Sequence, residues 1–207
     1  IDSSKSMEWG SPDKGLYTRQ IAAALAYIGL INLDRVSLYT FSDGLQYELP
    51  GIRGRRWMFK VIDFLSDVEY AGAGNLARTG KQFALRHPQP GIVILLSDCL
   101  DKEGVDAGLR FLLGRKYDLY VLQVLSPEEI DPPLAGDLRL TDVEDDDMAE
   151  VTVSRALLEK YRHTLQAYCT SIKDYCARRG VSYLFTGTQV PFDQIVLSYF
   201  RQRGLVA

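Results

Sequence analysis

Residues 91–96 form an unbroken apolar run of strand length, Gly-Ile-Val-Ile-Leu-Leu. Strands that are covered on both faces have continuous hydrophobic sequences, and this coverage is typical of parallel sheets with helices on both sides. The run ends in Ser97 and Asp98, so a carboxylate follows the last residue of a buried strand. The chain is therefore predicted to contain a parallel sheet with helices on both faces.

Helical and strand patterns alternate on either side of this run. Helices are predicted over 12–32, 56–68, 75–86, 104–117 and 192–203, and strands over 35–41, 45–49, 119–125 and 181–185. This alternation predicts a doubly wound, mainly parallel α/β sheet flanked by helices. At 207 residues and 46% hydrophobic content, residues 1–207 are expected to form one domain with a sizeable core.

The alternation changes after residue 135. Residues 136–142 and 150–153 have strand patterns on either side of an acidic turn at 144–147, which predicts an inserted β-hairpin. A long helix is predicted next, over 154–179, with Gly180 as its stop. Its apolar stripe is expected to pack on the sheet and consists of Leu158, Tyr161, Leu165, Tyr168, Ile172 and Tyr175.

Composition excludes several classes of protein. The net charge of −3, from 27 acidic and 24 basic residues, gives no general attraction for nucleic acid. Three scattered cysteines do not form a disulfide framework, which favours a reducing, cytoplasmic setting. No signal peptide opens the sequence, and no apolar run reaches the roughly 18 residues of a spanning helix.

The chain opens with Ile1-Asp2, and the Asp-Ser-Ser-Lys-Ser run from Asp2 has the character of a loop that leaves a strand. Most of that strand is expected to precede Ile1. We therefore expect the domain to be truncated at its amino end, within its first strand. An upstream membrane anchor in a longer protein is compatible with this expectation.

Two carboxylates and two hydroxyls are predicted to meet at one edge of the sheet. Ligands of open α/β sheets bind at the carboxyl ends of the strands. Asp2 follows the first strand with Ser4 and Ser6 beside it, and Asp98 follows the central strand. Hard oxygen donors of this kind suit Mg²⁺ or Mn²⁺, and a site with few charges leaves the ion able to accept a carboxylate from a partner protein.

These residues carry a resemblance to a known family. Residues 1–7 match the D-x-S-x-S signature of the metal-ion-dependent adhesion site in von Willebrand factor A domains, and Leu95-Leu96-Ser97-Asp98 resembles its later aspartate. The likeness to the bacterial family called domain of unknown function 58 covers essentially the whole chain. Further segments that carry it are 35–44, 127–129, 136–140 with Asp142 and Glu144, and 201–205.

The resemblance implies a fold, a site and a partner. It implies a six-stranded, mainly parallel sheet between helices. Ser4 and Ser6 would bind the metal directly, whereas Asp2 and Asp98 would act largely through water. Family members resemble companions of MoxR-type AAA+ ATPases, so the partner implied is such an ATPase or its client. The resemblance also implies that longer members of the family carry transmembrane segments upstream of this domain.

The sequence departs from the family pattern at one ligand. The intact site takes a threonine hydroxyl from a loop whose counterpart here is Gly72-Ala73-Gly74, which places Gly74 at the threonine position. Asn75 and Thr79 are nearby oxygen donors, but neither is an obvious replacement. The site is therefore expected to be degenerate, with Gly74, Asn75 and Asp43 on the face that contacts a partner.

Other interpretations of the same residues stay open. Asp2, Ser4 and Ser6 are also residue types that cap helices and turns. Cys99 fits a small buried residue better than a nucleophile. His87 and His163 are predicted to lie away from the pocket, and the basic cluster around Trp57 fits a solvated helix entrance.

A metal-dependent phosphoryl hydrolase is the alternative function, because phosphatases use the same edge of such sheets. A hydrolase of the haloacid-dehalogenase type needs an acidic residue two positions after its first aspartate, and that position is Ser4. A non-enzymatic interaction module is therefore the preferred prediction.

Overall fold

A computed structural model of the chain describes residues 1–141 and 148–200. The predicted acidic turn at 144–147, with Asp142, and the tail at 201–205 lie outside these ranges. The strands are β1 (Val36–Ser42), β2 (Gly44–Ile52), β3 (Gly91–Ser97), β4 (Tyr117–Leu125), β5 (Gly136–Thr141), β6 (Met148–Val153) and β7 (Ser182–Gly187). The helices are α1 (Lys14–Ile31), α2 (Met58–Ser66), α3 (Leu76–Arg86), α4 (Val105–Leu113), α5 (Pro127–Ile130), α6 (Arg155–Ala177) and α7 (Phe192–Gln194), and α7 continues into a π-type segment at Ile195–Phe200.

Strand β4 is the centre of a three-stranded parallel sheet, with β3 on one side and β7 on the other. Its side chains alternate between two cores. Tyr120, Leu122 and Val124 pack with residues of α1 and α2, whereas Leu119 and Val121 pack with residues of α3, α4 and α6. The predicted α/β class, with helices on both faces of a parallel sheet, is confirmed.

Among the described residues, the parallel sheet has three strands and not the six that the family resemblance implies. Strands β1 and β2 form a separate antiparallel pair, and β5 and β6 form another, which is the predicted inserted hairpin. Residues 1–3 connect the first pair to the parallel sheet. Asp2 N donates to Leu96 O at 2.9 Å, and Ser3 N donates to Phe41 O at 2.7 Å, so this short segment lies between β1 and β3.

A cavity of about 620 Å³ continues from this segment. It lies between the facing edges of β1 and β3, with Ala22 and Ala26 of α1 on one side and Leu112 of α4 on the other. Residues 1–3 therefore hold the two parts of the sheet together only at the carboxyl ends of β1 and β3, which is the edge where the predicted site residues lie.

Two predicted features differ from the structure. The helix predicted over 104–117 ends at Leu113, because β4 already begins at Tyr117. The stripe of α6 packs on the sheet only in its second half, where Ile172 and Cys176 are buried, while Tyr161 is 38% exposed. In the part of the chain that the structure describes, no helix combines the length and apolar character needed to cross a membrane.

Candidate functional site

The loop after residue 3 positions the first three predicted site residues. Lys5 N donates to Gly72 O and Ala71 N donates to Ser3 O, so the loop is hydrogen-bonded to the Gly72 segment beside it. Residues Lys5–Met7 form one 3-10 turn, anchored by the fully buried Met7. This conformation brings the hydroxyls of Ser4 and Ser6 to the same side, 3.1 Å apart.

Asp2 is the centre of a buried hydrogen-bond cluster. Its Oδ1 accepts from Ser4 Oγ at 2.6 Å and from Ser4 N at 2.9 Å, and its Oδ2 accepts from Ser97 Oγ at 2.5 Å. Asp2 and Ser4 are almost wholly buried. The structure thus brings together Asp2, Ser4 and Ser6 as predicted, and adds Ser97 as a donor that the sequence analysis did not identify.

Burial raises the pKa of Asp2 to about 6, and the neighbouring Asp98 carboxylate adds to the effect. The hydrogen bonds from Ser4 and Ser97 act in the opposite direction. An anion in this place is therefore unfavourable without a compensating positive charge.

Between pH 4 and pH 7, the free energy of unfolding of the metal-free chain is expected to fall by about 2 kcal/mol because of Asp2. Asp2 binds its proton more tightly in the folded than in the unfolded chain. Its stabilising contribution is therefore full below the unfolded pKa of 3.8 and is lost as pH rises through about 6. Denaturant unfolding of the wild type and Asp2→Asn across this range isolates the effect, since all other groups are shared. A difference between the two proteins that is constant with pH would contradict it.

Asp98 lies at the end of β3, as predicted, but both of its carboxylate oxygens already have donors. Oδ1 accepts from Leu100 N at 3.1 Å, and Oδ2 accepts from Lys14 Nζ at 2.8 Å. Lys14 Nζ also donates to Glu129 Oε1 at 2.5 Å. Burial alone would lower the pKa of Lys14, but the carboxylates of Asp98 and Glu129 outweigh it and raise the pKa.

Lys14 and Glu129, which lie behind Asp98 and do not line the small cavity, were not predicted from the sequence. Glu129 was visible as part of the S-x-x-E pattern that begins at Ser126, where a capping box forms at the carboxyl end of β4. Glu129 Oε2 accepts from Ser126 N at 2.8 Å, which leaves Oε1 for Lys14. Lys14 gave no such signal, because a lysine beside a predicted helix start is ordinarily solvated.

Gly74 lies against the site, as the resemblance implies. A Cβ at this position would be 3.7 Å from Ser4 Cβ and 3.8 Å from Ser4 Oγ, which is ordinary contact. Asn75 is the N-cap of α3, and its side-chain oxygen accepts from Arg78 N at 2.8 Å. The buried Thr79 lines the large cavity between β1 and β3 instead. Neither residue therefore replaces the hydroxyl that Gly74 lacks.

Asp43 lies on the exposed rim of the same edge. Its Oδ2 accepts from Arg78 Nη1 at 2.7 Å, and both side chains are more than half exposed. An exposed ion pair of this kind contributes little to stability and is available to a partner.

The site surrounds a small cavity of about 10 Å³, roughly the space of one water or one ion. Its lining includes Asp2, Ser4, Ser6, Gly74 and Asp98. Asp101, which was not predicted, also lines it and accepts from Leu76 N at 2.6 Å through Oδ2. All of the predicted metal-site residues therefore meet around one cavity at the carboxyl edge of the sheet.

The donor set fits a divalent ion with incomplete protein coordination. Adjacent ligands of an octahedral Mg²⁺ are about 3 Å apart, given ligand distances of about 2.1 Å. The oxygens of Asp2, Ser4 and Ser6 are separated by 2.6 and 3.1 Å. Within residues 1–141 and 148–200, no group of three His, Cys, Asp or Glu could hold a metal, so an ion here would depend on the serine hydroxyls.

Three other reactive side chains, those of Cys99, His87 and His163, were predicted to have structural roles. Cys99 is buried, and this burial raises the pKa of its thiol well above the usual range. His87 follows α3 and packs against Tyr39 and Phe83, and His163 is exposed on α6. Cys99 lines the small cavity, but its raised pKa keeps the thiol protonated and unreactive, and the two histidines do not line the cavity.

Comparison with known sequences finds relatives in mycobacteria. An uncharacterised protein of Mycobacterium tuberculosis H37Rv and one of Mycobacterium bovis are each 22% identical over 173 residues. The match covers 81% of this chain and 54% of each relative. The chain therefore spans about half the length of the curated relatives it matches.

Solved structures share the fold at low identity. The conserved hypothetical protein BatB from Bacteroides thetaiotaomicron aligns with a TM-score of 0.57 and 15% identity, covering 98% of this chain and 94% of its own. An aerotolerance-related membrane protein from Bacteroides fragilis gives 0.54 and 13%, with 97% and 96% covered. The SpRpn10 VWA domain gives 0.51 and 12%, with 96% and 92% covered. These alignments establish a von Willebrand factor A-like fold.

The family described as "Protein of unknown function DUF58" matches residues 1–170. This range contains the Asp2 loop, the Gly74 loop, Asp98 and the α5 segment, and it leaves out the last turns of α6, β7 and the carboxyl end. The chain is therefore a member of the DUF58 family with a von Willebrand factor A-like α/β fold.

Proposed function

We propose that this chain is a non-enzymatic protein-interaction module that binds its partner through a degenerate metal-ion-dependent adhesion site. The observation that carries the proposal is the convergence of Asp2, Ser4 and Ser6 on one ion-sized cavity at the carboxyl edge of the sheet. Their spacing matches the ligand separations of a small hard cation. The exposed Asp43–Arg78 pair and the Gly74 loop would shape the contact face around it.

The proposed ion is Mg²⁺ or Mn²⁺. When bound, it would supply a positive charge that accepts a carboxylate from the partner. Asp2 provides the negative charge that attracts the ion, and the hydroxyls of Ser4 and Ser6 provide neutral donors. Gly74 leaves one protein ligand fewer than the intact site has, so the partner would supply a larger share of the coordination.

The geometry supports binding over phosphoryl hydrolysis. Ser4, which stands where a haloacid-dehalogenase-type enzyme has its acid, donates its hydroxyl hydrogen to Asp2 at 2.6 Å. Two further carboxylates lie near Asp98. Glu129 is hydrogen-bonded to Lys14 and to Ser126 N, and Asp101 accepts from Leu76 N and Glu103 N. None of these residues is therefore well placed to transfer a proton to a substrate at Asp2.

The proposed partner is a MoxR-type AAA+ ATPase or a client of one, as the family resemblance implies. The proposed setting is the cytoplasm, with the longer protein anchored to a membrane by an upstream segment. One of the solved structures with this fold is that of an aerotolerance-related membrane protein. The mycobacterial relatives are about twice as long as the part that matches, which leaves room for such a segment in them.

Titration with Mg²⁺ and Mn²⁺ by calorimetry tests the site. We expect the wild type to bind one ion and Asp2→Ala to bind none, because the variant removes the carboxylate that contacts both Ser4 and Ser97. Asp63→Ala, an exposed substitution on α2, is the matched control and should bind as the wild type does.

A capture experiment with the purified MoxR-type ATPase of the same organism tests the proposed partner. Capture of the ATPase in Mg²⁺, with loss in EDTA and in Asp2→Ala, is the expected result. Capture that is equal in all three conditions would show that the partner binds independently of the site.

A further inference from the structure

Lys14 is the most unusual side chain near the site, because it is a wholly buried lysine. Its exposed fraction is 0%, and its ammonium lies between the carboxylates of Asp98 and Glu129 at 2.8 and 2.5 Å. Lysine is almost never fully buried unless it is paired. Both partners are positioned by other contacts, Asp98 by Leu100 N and Glu129 by Ser126 N, so the ammonium fits between two fixed anions.

The position of Lys14 in its helix excludes a role in stabilising the helix. It is the first residue of α1, directly after the N-cap Asp13. A cation at a helix N-terminus is unfavourable, because the helix dipole places partial positive charge there. The reason for a lysine at this point must therefore lie in the two carboxylates that it contacts.

The arrangement gives the two predicted aspartates of the site different electrostatic surroundings. Asp98 is paired with the ammonium of Lys14, and Lys14 does not itself line the small cavity. Asp2 receives hydrogen bonds only from neutral donors among the described residues. Of the two predicted aspartates in the cavity, Asp98 is therefore paired with a cation and Asp2 is not. Asp101, which also lines the cavity, accepts hydrogen bonds from the backbone amides of Leu76 and Glu103.

We propose that Lys14 is a specificity-determining residue, an internal cation that neutralises Asp98 and so weakens the site for a free divalent ion. This inference rests on the proposed function. An ion held by Asp2 and two hydroxyls keeps most of its positive charge, so it would bind tightly only together with a carboxylate from the partner. Metal and partner would then bind cooperatively, each raising the affinity for the other.

The test compares Mg²⁺ affinity in four proteins by calorimetry. They are the wild type, Lys14→Met, Glu129→Gln and the double variant Lys14→Met/Glu129→Gln. The double variant has the same net charge as the wild type at this place, but its Asp98 is released from the ammonium. Glu129→Gln keeps the Lys14–Asp98 pair and the hydrogen bond from Ser126 N, so it is the matched control.

We expect the double variant to bind Mg²⁺ at least tenfold more tightly than Glu129→Gln, and Glu129→Gln to stay within about threefold of the wild type. Lys14→Met alone leaves the buried carboxylate of Asp98 and the partly buried carboxylate of Glu129 without a cation. Its unfolding temperature should therefore be lower than that of the wild type and should recover on addition of Mg²⁺. If Lys14→Met does not fold, the double variant decides the question.

The outcomes separate this inference from the proposed function. An affinity of the double variant within twofold of that of Glu129→Gln overturns the role of Lys14. If wild-type binding nevertheless disappears in Asp2→Ala, the proposed adhesion site stands without it. Tight binding by the double variant that is lost when Asp2→Ala is added supports Lys14 as the residue that limits the metal. Absence of binding in all four proteins overturns both.

Discussion

Replacing Gly74 by threonine is expected to tighten Mg²⁺ binding by about 10- to 100-fold, the range by which support of a metal site changes its affinity. A Cβ at Gly74 meets nothing closer than Ser4, at 3.7 Å from its Cβ and 3.8 Å from its Oγ. The backbone φ at this residue is not in the left-handed region, so a β-branched side chain is tolerated. The threonine hydroxyl would reach the space next to Ser4 and complete the set of donors that Asp2, Ser4 and Ser6 begin.

Gly74→Ala is the control for this prediction. Alanine adds the same Cβ and the same loss of backbone freedom, but no oxygen. An affinity gain in the threonine variant that is absent in the alanine variant identifies the hydroxyl as the cause. Equal affinities in both variants would mean that the loop does not face the ion position, and the assignment of Gly74 would then be wrong.

Gly108→Ala is expected to destabilise the protein by about 2 to 3 kcal/mol, the upper part of the range for overpacking. A Cβ at Gly108 in α4 would be 2.4 Å from Leu76 O, and a Cβ at Gly80 in α3 would be 2.5 Å from Gly108 O. Both clashes are with backbone, which cannot rotate away. Alanine has a higher intrinsic helix propensity than glycine by about 1 kcal/mol. A net loss of stability would therefore show that the clash between α3 and α4 outweighs the gain in helix propensity.

Denaturant unfolding of Gly108→Ala and Gly91→Ala checks this prediction. Gly91 begins β3, and nothing lies within 4 Å of a Cβ built there, so its variant should differ little from the wild type. Unchanged stability in Gly108→Ala would contradict the close approach of α3 and α4. Because the Gly74 loop leads directly into α3, displacement of this helix should also weaken any metal binding at Ser4.

The sequence predicted those site residues whose positions depend on the structure of their own segment. Asp2, Ser4 and Ser6 lie within five residues of one another, and a single 3-10 turn brings their oxygens together. Asp98 could be predicted because a buried strand must end somewhere, and its end lies at the ligand-binding edge. Lys14, Glu129 and Asp101 belong to other elements, and their roles depend on tertiary contacts that no local pattern specifies.

The same distinction applies to the fold. The apolar run at β3 and the alternation around it predicted the parallel centre, because a strand covered on both faces has a continuous hydrophobic sequence. The stripe on α6 predicted too much packing, since helical periodicity shows which face is apolar but not how far the sheet extends beneath it. The six-stranded sheet was implied by the family resemblance and goes further than the observed ladders, which contain three parallel strands and two separate pairs.

The hairpin of β5 and β6 is expected to unfold separately from the parallel sheet. Among the described residues, its two strands are hydrogen-bonded in a ladder only to each other, over six residue pairs. A lone two-stranded hairpin is marginally stable in water, whereas the amides of β4 are enclosed by a strand on each side and by two cores. Amide hydrogens of the hairpin should therefore exchange with solvent through local unfolding, which costs little free energy. Amide hydrogens of β4 should exchange only when the whole domain unfolds. Stability measured by a probe in one of these regions does not report on the other.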